Sequence, residues 1–488
     1  MPGGDYDLLV IGGGINGAGI AREAAGRGLS VVLAESGDLS SATSSASSKL
    51  IHGGLRYLEQ YEFRLVAEAL AEREILLRVA AHLVSPLRFV MPHVPELRPR
   101  WMVRLGLFLY DHLARRSLLP ASQQVRLDAP PYRGNLRPDL RHGFAYSDCR
   151  VDDARLVVAN ALDAAARGAR VLVHTACLSA RRSAGQWRAT LSSGEQVSAR
   201  AIANAAGPWA KRVLNERLGQ PSSDDLRLVQ GSHALLPRLY EGEHAFILQN
   251  DDRRVIFMIP FEERFTLLGT TEVPRPPEGD PAALRATEEE IAYLCRAASR
   301  YLPRPVQPAE ALWCYAGVRP LYDDGSRDPS AVTRDYTLRL DDEQGRAPVL
   351  SVFGGKITTY RRLAEHAMDK LARYFPQARG TWTANTPLPG SDFASRNEAF
   401  AALRARYPKL APEVLHGVFR RHGTRAAEVL GDGLVGEHYG AGLTEREVRY
   451  FVDCEWARSA QDVLWRRSKA GLHLDSAQQA RIAAALGA

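Results

Sequence analysis

Apolar residues come in two rhythms along the chain. Asp7–Ile11, in DYDLLVIGGG, is apolar without alternation, the pattern of a strand buried on both faces of a parallel sheet. Small and apolar residues over Ala18–Gly26 predict a helix, and Ser30–Ala34 a second strand. A serine-rich loop at 40–48 and a long helix over Phe63–His82 follow. VDDARLVVANALDAAARGARVLVHT reads as a helix capped by Asp152 or Asp153, then a strand. ARAIANAAGPWAKRVL reads as a strand ending at Gly207, and VLSVFGGKITTYRRLAEHAMDKLARYF as strand, glycine pair and helix. Val255–Pro260 with Phe265–Gly269, and Tyr336–Leu340 with Pro348–Phe353, predict two hairpins in a second sheet. Pro, Gly, Ser and Asn cluster in the linker Thr381–Asp392, and Arg396–Ala488 carries a helical pattern. The fold class is therefore α/β.

LRPRWMVRLGLFLYDHLARRS, residues 97–117, breaks both rhythms. It is apolar with arginines at both ends and aromatic residues near them. Two structures fit: a helix lying in a membrane interface, with arginines at the lipid phosphates, or a helix buried on several faces. Nowhere do 18 apolar residues run in succession, so no transmembrane helix is expected.

A chain of 488 residues exceeds one core and predicts two or three domains. The net charge of +7 suits an anionic substrate or lipid surface, and without a basic block it does not call for nucleic acid. Lysine is scarce: it stands only at 49, 211, 356, 370, 409 and 469, against 57 arginines. The five cysteines have no CxxC spacing, so neither a metal site nor a redox dithiol is indicated, and the count fits a reducing cytosol. The acidic start, MPGGDYD, is unlike a signal peptide.

The strongest motif is at the start. Gly12, Gly14 and Gly17 form G-x-G-x-x-G between a strand and a helix, and Glu35 ends the next strand 18 residues after Gly17. Gly12 permits the tight turn, Gly14 the approach of a pyrophosphate, and Gly17 the packing of helix on strand. The helix N-terminus offers N–H groups to phosphate, Ile15 and Asn16 within the fingerprint are expected at the cofactor, and Glu35 can accept from ribose hydroxyls. An acid there disfavours NADP. The fingerprint alone does not choose between NAD and FAD. The serine loop and the glycine-ended strands, which replace regular βαβ units, favour FAD.

GGGINGAGIAREAAGRGLSVVLAE, ATSSASSKLIHGGLRYLE, YSDCRVDDARLV, NAAGPWAK, GVRPLYDD, TRDYTL and SVFGGKITTYRRLAEHA together resemble the FAD-dependent glycerol-3-phosphate dehydrogenases, particularly the aerobic bacterial, membrane-associated kind. The likeness runs along nearly the whole chain. It implies a glutathione-reductase-like FAD-binding fold (residues 1–80, 145–225 and 345–380), an antiparallel-sheet substrate domain (81–144 and 226–344) and a helical C-terminal domain (390–488). It implies oxidation of sn-glycerol 3-phosphate at C2 to dihydroxyacetone phosphate, with electrons passing through FAD to ubiquinone or menaquinone. It further implies a homodimer at an anionic membrane surface, on the cytoplasmic face of the inner membrane or in the cytoplasm. A glycerol-3-phosphate oxidase using oxygen, or a flavin-binding sensor without turnover, would share the FAD motif.

Against this resemblance each motif acquires an expected role. Ser47, Ser48, Lys49 and Leu50 are expected along the cofactor, with Ala206, Gly207, Gly355, Lys356 and Thr358. Arg56, Arg319 and Arg334 are candidates for the substrate phosphate, because the guanidinium fork binds phosphate bidentately. His52 is the first candidate for the base that takes the C2 hydroxyl proton, and His233 the second. Tyr57 and Thr270 are expected at the substrate, and Lys356 at substrate oxygens or reduced flavin.

Overall fold

The computed structural model describes residues 4–94, 99–252, 254–276, 279–323 and 335–487. Two large sheets organise them. In the first, Asp5–Ile11 lies between Gln196–Asn204 and Val31–Ala34, all parallel, with Arg170–Leu172 and Arg346–Phe353 extending the parallel set on either side. Leu8 and Val10 point into one core while Leu9 and Ile11 point into another. Side chains alternate across a strand, so an uninterrupted apolar run is what burial on both faces requires. The helices Ile15–Gly26, Asp153–Ala166 and Tyr360–Leu371 pack on the Leu8–Val10 face.

The second sheet has ten strands and is almost wholly antiparallel. Its long members are Val84–Pro92, His142–Val151, Asp225–Pro237 and Trp313–Asp323, and Leu50–Ile51 closes one edge. Val255–Phe261 and Phe265–Gly269 form the expected hairpin within it.

Two placements differ from the sequence reading. The hairpin of Thr337–Glu343 and Arg346–Phe353 belongs to the first sheet, because the buried run of Arg346–Phe353 pairs parallel to Gln196–Asn204. A hairpin signal is local and names no third strand. Likewise His142–Val151 is a strand of the second sheet that leads directly into the helix Asp153–Ala166 of the first. Arg334 lies outside the described residues.

The C-terminal region is helical with one short ladder, His438–Gly440 with Leu443–Thr444, around a core of its own. The stretch around 97–117 contains the helix Arg100–His112. No helix among the described residues is long and apolar enough to cross a membrane.

Candidate active site

The glycine fingerprint sits where the strand Asp5–Ile11 ends. Gly12 has φ +109°, and a Cβ there would lie 2.6 Å from the Ala205 carbonyl oxygen, so only glycine fits. A Cβ on Gly17 would lie 1.9 Å from the Gly12 carbonyl oxygen. Gly14 caps the helix Ile15–Gly26 without a side chain, and no carboxylate stands in the first turn. Such an end attracts an anion. Glu35 accepts from Gly13 N (2.6 Å) and Gly37 N (2.7 Å), which fixes its carboxylate beside the turn.

Two further segments close on this cradle. Asn16 Nδ2 donates to the Gly354 carbonyl at 3.2 Å, and Asn16 Oδ1 is buried with no partner. Gly355, at φ +96°, would clash with Asn16 if it carried a Cβ. Ala206 and Gly207 follow the strand Gln196–Asn204, and Ala206 N donates to Asn204 Oδ1 at 3.4 Å. The serine loop reaches the same helix end: Ser44 Oγ accepts from Ile15 N at 3.0 Å. A glycine cradle, a fixed acid and a buried, unsatisfied amide oxygen together fit a bound dinucleotide.

The serine loop is held from below. Ser47 Oγ donates to Asp153 Oδ2 (2.8 Å), and Lys49 Nζ bonds the same oxygen (2.8 Å) and the Ser45 carbonyl (2.9 Å). The lysine side chain expected along the cofactor is thus committed to a buried ion pair. Ser48 Oγ meets His233 Nε2 at 2.9 Å, and Leu50 is buried opposite Arg150.

His52, Arg56, Tyr57, Thr270, Arg319, Lys356 and Thr358 come together. Thr358 Oγ1 lies 3.3 Å from His52 N and 3.4 Å from His52 O, which ties the IHGG and GGK segments to each other. Lys356 Nζ sits 4.0 Å above the Tyr57 ring. Arg56 and Arg319 both reach Glu272, at 3.3 Å each, and Arg319 also reaches Thr270 Oγ1 at 3.3 Å. Burial lowers the His52 pKa below its ordinary value; Lys356 and Arg319 add to this, and Asp148 opposes it. Its imidazole is neutral at neutral pH and able to accept a proton.

His233 is placed otherwise. Its ring stacks on Tyr315 (4.7 Å between centroids), it is buried, and Nδ1 has no partner. Burial pushes its pKa well below the ordinary value, with Lys49 and Arg319 adding to the effect. It supports Ser48 and lies within the electrostatic reach of Arg319, the same guanidinium that acts on His52.

The residues that sequence reasoning missed are acids and a tyrosine. Glu272 stands two residues after the expected Thr270, in GTTE, and Asp148 and Asp153 lie in YSDCRVDD. Tyr110 sits on the helix Arg100–His112 and bonds Gly53 N. Of these, Asp148 and Asp153 fall inside a motif of the resemblance.

Comparison with known proteins places this geometry. Residues 7–361 match the model of the FAD dependent oxidoreductase family, and residues 381–486 that of the C-terminal domain of alpha-glycerophosphate oxidase. A Pseudomonas aeruginosa protein named glycerol-3-phosphate dehydrogenase is 54% identical over 98% of this chain and 94% of its own. The aerobic glycerol-3-phosphate dehydrogenase of Escherichia coli is 49% identical over 98% and 96%. A Brucella abortus protein named D-erythritol 1-phosphate dehydrogenase is 50% identical over 97% and 96%. Among solved structures, the glycerol-3-phosphate dehydrogenase from Bacillus halodurans complexed with FAD matches with TM-score 0.73 at 25% identity, over 99% of this chain and 94% of that one.

Proposed function

Because the chain belongs to the FAD-dependent glycerol-3-phosphate dehydrogenase family, we propose that it oxidises sn-glycerol 3-phosphate at C2 to dihydroxyacetone phosphate and passes the electrons to a membrane quinone. The observation that carries this reading is the cluster of Arg56 and Arg319 on one carboxylate, beside a neutral His52 and Lys356.

FAD, when bound in the cradle of Gly12, Gly14, Asn16, Glu35 and Gly355, supplies the hydride acceptor. The protein's own groups do the rest. Arg56 and Arg319 bind the phosphate dianion, whose charge competes with Glu272 for the two guanidinium forks. His52 takes the proton of the C2 hydroxyl as the C–H bond breaks. Its depressed pKa keeps it ready for that step. Lys356, whose ammonium Tyr57 holds by a cation–π contact, stabilises negative charge at the reacting oxygen or on the cofactor.

The helix Arg100–His112 supports the quinone reading. Trp101, Met102, Leu105 and Phe108 are exposed on it beside Arg100 and Arg104. An outward apolar face with arginines at its border suits an anionic lipid surface, where a quinone would be met.

The identity shared with the Brucella protein favours one second reading, a longer polyol phosphate as substrate. Anaerobic absorbance spectra test both. Bleaching of the flavin by sn-glycerol 3-phosphate, and reoxidation by a quinone rather than by oxygen, is the expected result. Bleaching by D-erythritol 1-phosphate alone would replace the substrate, and bleaching by neither would refute the site.

A further inference from the structure

We infer that the segment Arg466–Lys469 of the C-terminal region is a clamp that holds the serine loop, residues 38–49, in the conformation that retains FAD. At the start of the loop, Arg467 meets both oxygens of Asp38, at 2.7 and 2.9 Å, and Arg466 Nε meets one at 2.5 Å. At its end, Lys469 Nζ lies 3.2 Å from Asp152 Oδ1 and 3.8 Å from Asp153 Oδ1. Asp153 in turn receives Lys49 Nζ and Ser47 Oγ, each at 2.8 Å. Three residues of this four-residue segment, Arg466, Arg467 and Lys469, therefore grip both ends of one loop, one end directly and the other through a shared carboxylate.

Between these grips the loop touches the cofactor cradle. Ser40 N donates to the Gly13 carbonyl at 3.1 Å, and Ser44 Oγ accepts from Ile15 N. The strand beneath is gripped as well. Thr43 Oγ1 donates to the Val318 carbonyl at 2.7 Å, and Trp465, next to the clamp, stacks on Trp313 of the same strand at 4.8 Å.

Asp38, Lys49, Asp153, Arg467 and Lys469 are all buried. Charges persist in such a place only when paired. Loss of one clamp cation leaves Asp38 with a single arginine, or Asp153 with Lys49 alone, and the weakened buried pairing is relieved when the loop opens toward water. Opening removes the loop from the helix end that the pyrophosphate needs. The C-terminal region, which carries no catalytic motif, thereby acts on cofactor retention. The two scarce lysines at 49 and 469 meet on this one aspartate.

This rests on FAD binding and not on the identity of the substrate. FAD retained without oxidation of glycerol 3-phosphate would therefore sink the catalytic reading and leave the clamp standing. The test is the dissociation constant of FAD from the full chain, read from the fluorescence of released flavin. Arg467→Met, Arg466→Met and Lys469→Met are compared with Lys469→Arg. Glu447→Gln serves as control, since it breaks the buried Glu447–Arg421 pair (2.6 Å) elsewhere in the C-terminal core. Weakening of about tenfold or more in the methionine variants that fold, with Lys469→Arg near the parent and Glu447→Gln lowering only the melting temperature, supports the clamp. FAD affinity within about twofold of the parent in Lys469→Met and Arg466→Met overturns it. Equal loss of FAD in Glu447→Gln also overturns it, because the effect would then be general loosening.

Discussion

Tyr110 accepts the Gly53 N–H at 2.8 Å and donates to Asp148, whose two oxygens both lie 2.8 Å from the hydroxyl. Gly53 follows His52, and Asp148 is also held by Arg73 at 2.7 Å. One helix, Arg100–His112, thus turns Trp101, Leu105 and Phe108 outward and Tyr110 inward onto the segment that bears His52.

Tyr110→Phe therefore strands a buried N–H and takes one hydrogen-bond partner from Asp148, which keeps Arg73. Leaving such groups unsatisfied costs about 1–3 kcal/mol. The expected result is a lower melting temperature together with a lower kcat, because the His52 backbone is no longer pinned. Thermal melts and steady-state kinetics on one preparation check it. An unchanged kcat would show that Thr358 alone fixes His52.

Arg319 and Glu272 should act in opposite directions. Hydrogen bonds to charged groups contribute about 1.5–3 kcal/mol each. Arg319→Ala should therefore raise KM for the phosphate substrate by roughly ten- to a hundredfold. Glu272→Gln removes the carboxylate that competes for Arg56 and Arg319, so KM should fall or hold. Steady-state kinetics with sn-glycerol 3-phosphate decide. A KM that rises in both variants would mean that Glu272 itself binds substrate hydroxyls.

The difference between Glu272 and the fingerprint shows what a sequence exposes. Gly12, Gly17 and Glu35 were legible because a positive φ, a close backbone approach and a strand end are local demands, fixed within one βαβ unit. His52, Arg56, Arg319 and Lys356 were legible as motifs, although only the fold brings them together. Lys49 and Asp153 lie 104 residues apart, and their ion pair has no local signature. The hairpin Thr337–Phe353 was assigned to the wrong sheet for the same reason: its turn is local, while its pairing with Gln196–Asn204 is not. Tyr110 stands in a stretch whose aromatic residues read as membrane or core contacts, and its hydrogen bond to Gly53, 57 residues away, has no local signature.

The pH profile should reveal His52. Burial, with Lys356 and Arg319, disfavours the protonated ring, so the acid limb of kcat/KM should fall below the ordinary histidine value of 6.5. Lys356→Met removes a cation that opposes protonation, so the limb should move to higher pH. The second ionisation of a phosphate monoester lies near ~6, but it is common to every variant. A limb that does not move between the parent and Lys356→Met would assign it to the substrate. His52→Gln should abolish the limb and most of kcat.

The outward face of Arg100–His112 should carry the contact with lipid. Trp101 is 66% exposed, Leu105 50% and Phe108 49%, on a helix whose Val103, Leu107 and Tyr110 are buried. Fully burying a large apolar side chain contributes about 1.5–3 kcal/mol. Leu105→Ser with Phe108→Ser, which leave the inner face intact, should therefore weaken binding to vesicles of anionic phospholipid by at least ~tenfold. Flavin bleaching by substrate in solution should persist, since no residue of the His52 cluster is changed. Sedimentation with vesicles and anaerobic spectra separate the two effects. Vesicle binding that survives both substitutions would move the lipid contact to another face.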